Sequence, residues 1–562
     1  MLVGFLWLKE RVITLFKVKI NNQIKEFDKP IRALELIDEK DKHEIFACKL
    51  NYRLRELTYI INRDTEVEFL TLSDYNAMLV YQNSLRYVLC MAIHNLYPNA
   101  KVEINHFISQ TMSCQITNID EFIDSNLVNK IENEMRRIID LDLPFKKRTV
   151  SIDEAMKIFD DNGFEDKKRA TKYRPEDTAH FYECDGYINY MFGYMVPSTG
   201  YLKEFKLILY YPFIVIQFPR STNKGEIPEF KDEPTFTKVI RESNKWGEIL
   251  DAKTISDINE KTESLKIIDF INMCESRHND MLCELGDIIK KNIDTIRLIT
   301  IAGPSSSGKT TFSNRLRIAL LNRGIKPIRI SIDNYYLERK YCPLDENGNY
   351  DLEHIEAIDI DLFNEQMLAL IQGQKVTLPY FNFKTGKREW ADTIQIDKNT
   401  PIILEGIHAL NDRLTSLIPK YQKFKIFIAP TPQTHIDAHN PLSFTDLRLI
   451  RRMVRDARTR NSSAKETLSM WDSVRKGEYK WIYPCQDDVD YTFNSELAYE
   501  LGVMKKYAVP LLEQIDNEDE YYIDANRLLK YIKYFVDIDD KFIPCNSLLR
   551  EFIGGSVFED LK

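Results

Sequence analysis

Eight residues near the middle of the chain constrain its fold more than any other stretch. Residues 303–310 read Gly-Pro-Ser-Ser-Ser-Gly-Lys-Thr, which fits the phosphate-loop pattern G-x-x-x-x-G-K-[ST] at every position. The apolar run Leu298–Ala302 precedes this loop, and a helical pattern follows it over residues 311–322. A strand, a glycine-bounded loop and a helix in this order are the context that the pattern requires. We therefore expect a nucleotide-phosphate site here.

The physical basis of the phosphate loop is its backbone. Glycines let the chain curl so that several N–H groups converge on one anion, and the following helix adds the positive end of its dipole. Lys309 is expected to reach the β- and γ-phosphates, and the Thr310 hydroxyl to help hold Mg²⁺. ATP and Mg²⁺ are thus the predicted cofactors. The predicted ATP-binding residues are Gly303, Pro304, Ser305, Ser306, Ser307, Gly308, Lys309, Thr310 and Thr311.

The second half of the chain alternates short apolar runs with helical patterns. Apolar runs occur at Leu298–Ala302 and at residues 328–332, 402–404 and 424–428. Such alternation predicts an α/β fold with a parallel sheet that is covered by helices on both faces.

Two carboxylates follow strands of this predicted sheet. Asp333 comes directly after the run at 328–332, and Glu405 after the run at 402–404. Ligands of open α/β sheets bind at the carboxyl ends of the strands, where an acid can take a proton from a hydroxyl or hold Mg²⁺. The alternative is that one or both cap helices.

Residues 448–460 carry six arginines and no lysine. The planar guanidinium suits the spread charge of a transferring phosphoryl group, so we interpret Arg455 and Arg460 as a catalytic lid. A solvated helix face and an RNA-binding strip are the alternatives.

Five segments together resemble the uridine kinase/phosphoribulokinase family over about residues 296–512. They are GPSSSGKT, SIDNYY (331–336), LPYFNF (378–383), ILEGIHAL (403–410) and RRMVRDARTR (451–460). The resemblance implies a P-loop kinase in which Asp333 is the base for a nucleoside 5′-hydroxyl. It also implies Thr310, Asp333 and Glu405 around Mg²⁺, with Lys309, Arg455 and Arg460 acting on the phosphates.

The predicted nucleoside pocket departs from the family pattern. Phe381 replaces a tyrosine, Gly386 a histidine that reads the base, and Ser462 a ribose-binding arginine, while Leu352 and Glu353 replace a Phe-Asp pair. Fewer hydrogen-bonding groups predict weaker selection between bases. The predicted substrate-binding residues are Tyr336, Glu353, Phe381, Phe383 and Arg452.

The N-terminal half resembles the front of threonyl-tRNA synthetases. Residues 18–80 have the period of two of a small β-rich module and look like a TGS module, while residues 84–218 are similar to the editing domain. At the editing motif H-x-x-x-H and C-x-x-x-H the chain has Tyr87, Met91, Met191 and Met195. These side chains are neither hydrolytic groups nor good ligands for a hard metal, so the editing chemistry is lost. RNA binding, nucleotide binding, dimerisation and a scaffold role stay open for this half.

These patterns predict five units. They are a β-grasp-like TGS module (17–80), an α+β editing-like domain (81–220), a linker and helical segment (221–294), a P-loop uridine kinase-like domain (295–535) and a C-terminal tail (536–562). Nine cysteines without a C-x-x-C pair fit a reducing compartment, and the apolar run at residues 1–8 is too short to span a bilayer. We expect a cytoplasmic protein.

The leading hypothesis is an ATP-dependent nucleoside kinase that converts uridine to UMP. The second hypothesis keeps the phosphoryl transfer but has another nucleoside or a sugar phosphate as acceptor. The third hypothesis is an RNA-associated nucleotide switch. The net charge of −9 gives no sign of nucleic-acid binding, and the intact Asp333 and Glu405 favour chemistry over switching. The expected partners are a nucleoside substrate, RNA through the N-terminal half and a second copy of the chain, without a membrane.

Overall fold

The computed structural model describes residues 15–558, except 22, 265, 346, 347, 349, 383, 384, 432 and 433, and it describes residues 105 and 106 by their backbone. The predicted substrate residue Phe383 therefore lies outside the described residues. The strands are β1 (Phe16–Ile20), β2 (Gln23–Phe27), β3 (Ile31–Arg32), β4 (Ala47–Leu50), β5 (Arg53–Arg55), β6 (Ile60–Ile61), β7 (Thr65–Leu70), β8 (Lys101–Ile108), β9 (Thr111–Thr117), β10 (Lys146–Ser151), β11 (Thr178–Cys184), β12 (Tyr187–Tyr190), β13 (Lys206–Tyr210), β14 (Phe213–Gln217), β15 (Leu298–Ala302), β16 (Ile328–Ser331), β17 (Val376–Asn382), β18 (Lys387–Ile394), β19 (Ile402–Glu405), β20 (Lys423–Ala429) and β21 (Tyr491–Asn494).

The helices are numbered in the same way. They are α1 (Tyr75–Leu96), α2 (Ser125–Asp140), α3 (Ile152–Asp161), α4 (Glu165–Thr171), α5 (Pro234–Leu250), α6 (Ile255–Glu263), α7 (Ile267–Lys291), α8 (Lys309–Leu321), α9 (Ile360–Ile371), α10 (Phe444–Arg460), α11 (Ala464–Trp481), α12 (Glu500–Leu512), α13 (Tyr522–Ile532) and α14 (Arg550–Ile553).

Within residues 16–70, five strands form a small sheet in the order β2-β1-β7-β4-β5, in which only β1 and β7 run parallel. Its strand β7 shows the alternation that the sequence predicts over residues 65–68, since Thr65 and Val67 are buried while Glu66 and Glu68 are exposed. One face of the sheet therefore packs inwards and the other meets water.

Helix α1 joins this small sheet to the next part of the fold. The Asp74 carboxylate accepts hydrogen bonds from the N–H groups of Asn76 and Ala77 and so caps the helix. Nearly every α1 side chain up to Ile93 is buried, because two further sheets follow, in the orders β13-β14-β9-β8 and β10-β11-β12. One apolar cluster runs from Phe16 to Phe218 and unites this N-terminal half.

The C-terminal half is built on a parallel sheet in the order β16-β19-β15-β20-β21. Alternate residues of the central strand β15 enter different clusters: Ile299 and Ile301 join one, and Leu298 and Ala302 the other. Both faces are therefore covered, and the predicted α/β class with a parallel sheet is confirmed.

Helices α5 to α7 connect the two halves and pack against the parallel sheet. Ile258 of α6 and Leu285 of α7 belong to the same apolar cluster as Ile299 and Ile301. The predicted boundary at residue 295 runs through this cluster, so α6 and α7 share a core with the sheet.

The N-terminal half is anchored to residues 435–440, the loop that leads into α10. Lys167 Nζ lies 2.6 Å from Asp437 Oδ1, and both side chains are buried. The Asp166 carboxylate accepts from the Ala438 N–H at 2.7 Å, and Arg86 donates to the His439 carbonyl at 3.1 Å. This contact ties the N-terminal half to the start of α10, the helix that carries the arginine run at residues 448–460.

Candidate active site

The phosphate loop joins the end of β15 to the start of α8. Ser306 and Gly308 have positive φ angles of 59° and 91°, which turn the backbone sharply before the helix begins. At Gly303 a Cβ atom would clash with the Ile428 carbonyl of β20. The two glycines are thus required by the close approach of β20 and by the turn at the helix start.

Lys309 is the first residue of α8 and is folded back over the loop. Its Nζ donates to the Gly303 carbonyl at 2.9 Å and to the Pro304 carbonyl at 3.1 Å. Burial lowers the pKa of the Lys309 amine, while the negative charges of Glu405 and Asp333 oppose that effect. The predicted phosphate lysine therefore lies in the electrostatic field of both predicted carboxylates.

Asp333 and Glu405 lie at the same edge of the sheet. Ser331, at the end of β16, is the register partner of Glu405, and Asp333 follows two residues later in a short turn. Burial raises the pKa of Asp333, opposed by Lys309, Arg460 and Arg455. Burial and the nearby Asp333 raise the pKa of Glu405 to about 7.

The donor set fits Mg²⁺ bound together with substrate phosphates. Among the described residues no cluster of three or more His, Cys, Asp or Glu side chains could hold a metal alone. Mg²⁺ usually takes one or two carboxylates, with water and phosphate oxygens completing its shell. Asp333, Glu405 and the Thr310 hydroxyl would supply such oxygens, and a cation there would relieve the repulsion that raises the pKa of Glu405.

The arginines of α10 divide into two groups. Arg448 and Arg451 are completely buried; Arg448 pairs with Glu478 of α11, and Arg451 Nε lies 2.7 Å from Glu500 of α12. Both also donate at 3.3 Å to carbonyls of the phosphate loop, Arg448 to that of Ser305 and Arg451 to that of Ser306. These two arginines hold the loop to the helices behind it.

The second group gathers around Asp456, which sequence reasoning missed. Its carboxylate is completely buried and lies 2.8 Å from Arg455 Nη2, 3.3 Å from Arg452 Nε and 3.7 Å from Arg460 Nε. One counter-charge thus collects Arg452 and the two predicted lid arginines. The signal in the sequence is a single acid within an arginine run.

Glu478 is a second residue that sequence reasoning missed. Its carboxylate accepts from the Ser305 backbone N–H at 3.0 Å and pairs with Arg448. Burial would raise the pKa of Glu478, but Arg448 and Arg475 outweigh that effect and hold it below its usual value. Arg452 Nη1 donates to the Ser305 hydroxyl at 2.8 Å, so this loop residue is held from both sides.

The predicted substrate-binding residues lie beside the phosphate loop. The rings of Tyr336 and Phe381 are 5.7 Å apart, and the Tyr336 hydroxyl donates to the Leu352 carbonyl at 3.0 Å. Burial raises the pKa of Glu353 to about 7, with the charge of Arg452 opposing it. The structure thus places four of the predicted substrate-binding residues next to the phosphate site: Tyr336, Glu353, Phe381 and Arg452.

The four residues that the sequence predicts at an editing motif lie in one buried cluster. Tyr87, Met91, Met191 and Met195 are each at most 2% exposed. The Tyr87 hydroxyl donates to the Tyr187 carbonyl at 2.7 Å and is packed edge-on against aromatic neighbours. All four side chains are therefore part of the core of the N-terminal half.

A parallel sheet, a phosphate loop, two strand-end carboxylates and an arginine helix define the C-terminal half as a P-loop kinase. The chain belongs to the phosphoribulokinase/uridine kinase family, whose model matches residues 298–498. The uridine kinase of Ureaplasma parvum serovar 3 is 33% identical over 213 residues, which are 37% of this chain and 94% of that protein.

Threonine–tRNA ligases match the N-terminal part. That of Carboxydothermus hydrogenoformans is 31% identical over 192 residues, 34% of this chain and 30% of that protein. The chain thus spans less than a third of the length of this ligase.

A solved D-glycerate 3-kinase from Cryptococcus neoformans is 12% identical, with a TM-score of 0.21, covering 45% of this chain and 87% of that one. Within the described part of the chain, every helix is too short or too polar to cross a membrane.

Proposed function

We propose that this P-loop kinase transfers the γ-phosphoryl group of ATP to the 5′-hydroxyl of a nucleoside, with uridine as the preferred acceptor and UMP as the product. The observation that carries the proposal is Asp333, a strand-end carboxylate beside the phosphate lysine. Its raised pKa brings it closer to neutrality, where a general base works best.

Each side chain of the site has a distinct role in this proposal. Asp333 accepts the proton of the attacking hydroxyl, and Lys309 neutralises charge on the β- and γ-phosphates. Arg455 and Arg460 stabilise the charge that spreads over the transferring group. Mg²⁺, held through Thr310, Asp333 and Glu405, would supply further neutralisation of the phosphates.

The acceptor side supports a nucleoside with relaxed base selection. Tyr336 and Phe381 offer aromatic faces on which any base can stack. Phe381 offers no hydroxyl, and Gly386 has a positive φ of 66°, which a histidine at this position would adopt only with strain. An apolar pocket discriminates only modestly, so cytidine should be turned over within about one to two powers of ten of uridine.

The test is an acceptor panel with ATP and Mg²⁺, followed by coupled ADP release. The compounds are uridine, cytidine, adenosine and ribulose 5-phosphate, and wild type is compared with Phe381→Tyr. We expect the highest kcat/KM for uridine and a stronger preference for pyrimidines in the variant. Turnover of the sugar phosphate alone would favour the second hypothesis, a kinase with a sugar phosphate as acceptor.

We also propose a TGS-like module at 17–80, an editing-like domain at 81–220, a linker and helical segment at 221–294, a kinase domain at 295–535 and a tail from 536. The threonine–tRNA ligase relatives support the first two assignments. RNA contact through this half is tested by gel-shift titration with tRNA, and self-association by light scattering. Tight tRNA binding without any kinase turnover would favour the nucleotide-switch reading instead.

A further inference from the structure

The segment 545–556, called here the C-terminal strap, lies on the phosphate loop although it is outside the family match at 298–498. Leu548 packs so closely on the loop that a Cβ at Gly308 would clash with it. Leu549 and Phe552 are completely buried, which anchors the strap in the kinase core. The strap is therefore a built part of the site's wall.

The strap places a carboxylate on an anion-binding group of the loop. Glu551 Oε2 accepts from the Thr311 backbone N–H at 2.9 Å. Thr311 is the third residue of α8, and the free N–H groups of a first helical turn are those that bind phosphate in a P-loop. A carboxylate at this N–H occupies a place that a phosphate oxygen of the nucleotide would take.

Arg458 of α10 holds the strap in this position. Arg458 Nη2 donates to the Glu551 carbonyl at 3.0 Å, and Arg458 Nε to the Phe552 carbonyl at 3.3 Å. Arg451 lies 5.1 Å over the Phe552 ring. The same helix thus carries the predicted lid residues and the anchor of the strap.

Glu551 also adds a negative charge to the part of the site that must receive phosphates. It stands among the charges that act on Lys309 and on Glu405. With its carboxylate in place, an incoming phosphate would meet an occupied N–H group and a like charge.

We propose that the C-terminal strap is an intramolecular competitor for the nucleotide, in which Glu551 occupies a phosphate subsite at Thr311 and must leave before ATP binds fully. The inference rests on the proposed ATP site. An internal competitor lowers the apparent affinity in proportion to the fraction of molecules that it blocks. A plain helix cap would make the same hydrogen bond but would stabilise the fold without competing.

Affinity for a non-hydrolysable ATP analogue with Mg²⁺, measured by calorimetry on the full chain, separates these two roles. Charge-assisted hydrogen bonds are strong enough that Glu551→Ala should tighten the dissociation constant by about tenfold. Glu551→Gln keeps an acceptor without the charge and should give a smaller gain. Glu520→Ala removes an exposed carboxylate of the same C-terminal region and should leave the affinity unchanged.

Hydrogen exchange gives an independent measurement on the wild type. The analogue should increase amide exchange in the strap while it protects the phosphate loop. Unchanged or weaker affinity in Glu551→Ala, with a lower melting temperature, would show a structural cap and overturn the inference alone. Absence of binding in both wild type and Glu551→Ala would overturn the proposed ATP site as well.

Discussion

Asp456 tests whether the lid arginines depend on one buried counter-charge. Its carboxylate lies within 4 Å of guanidinium nitrogens of Arg452, Arg455 and Arg460. Asp456→Ala removes that charge altogether. Asp456→Asn keeps the shape and one acceptor oxygen, so the two variants separate charge from packing.

The magnitude follows from the exposure of the three partners. Removing one partner of a buried ion pair costs about 3–5 kcal/mol. Arg452 is 8% exposed, but Arg455 is 18% and Arg460 57% exposed, so water recovers part of the cost. We expect a loss of about 2–4 kcal/mol in the free energy of unfolding for Asp456→Ala and about half of that for Asp456→Asn.

The assay combines urea unfolding with steady-state kinetics. In Asp456→Asn, kcat should fall about a hundredfold while the KM for ATP changes less, because the arginines act on charge that develops in the transition state. Asp361→Asn, which changes an exposed carboxylate of α9, is the matched control. Wild-type stability and wild-type kcat in Asp456→Asn would refute the idea that this carboxylate positions the lid.

Three further predictions address the base, the acceptor site and the N-terminal half. Asp333→Asn keeps the shape but loses the base, so kcat should fall by at least about a hundredfold in coupled ADP release; a wild-type kcat would make Asp333 structural. Glu353, whose pKa burial raises to about 7, becomes charged as the pH rises from 6 to 8. A charged carboxylate accepts hydrogen bonds more strongly than a neutral carboxyl, so the KM for uridine should fall over that range in wild type and stay flat in Glu353→Gln. Parallel profiles would contradict a role of Glu353 in substrate binding. The N-terminal half should not release the amino acid from mischarged tRNA; release that survives Tyr87→Ala and Met191→Ala would require catalytic groups elsewhere.

The parts of the site that the sequence predicts are those formed by neighbouring residues or by strand ends. The phosphate loop is contiguous, and its strand and helix flank it directly. Asp333 and Glu405 follow apolar runs, and the parallel register of β16 and β19 places both at one edge. Local pattern and the general rule for parallel sheets were therefore sufficient for them.

The supports of the loop could not be predicted, because they come from distant segments. Glu478 is 173 residues from Ser305, and Glu551 is 240 residues from Thr311. Periodicity identifies which face of a helix is buried, but not which distant backbone N–H that face meets. The division of the α10 arginines into loop anchors and lid residues depends on the same long-range packing.

The N-terminal half shows a similar limit. The replaced residues at the editing motif predict lost chemistry from side-chain type alone. That Tyr87, Met91, Met191 and Met195 all lie in the core of the N-terminal half depends on how α1 packs against the loop after β12. Residue identity could predict the absence of editing chemistry, and only the packed fold could show that these side chains are buried.

The most direct test of the central claim is product formation by wild type and Lys309→Ala. Both proteins are incubated with ATP, Mg²⁺ and uridine, the nucleotide product is identified by mass spectrometry, and folding is checked by circular dichroism. Lys309 supplies the cation on the transferring phosphates, so wild type should produce UMP and the folded variant should produce none above background. Equal product from both proteins, or no phosphorylated nucleoside from wild type, would contradict the account.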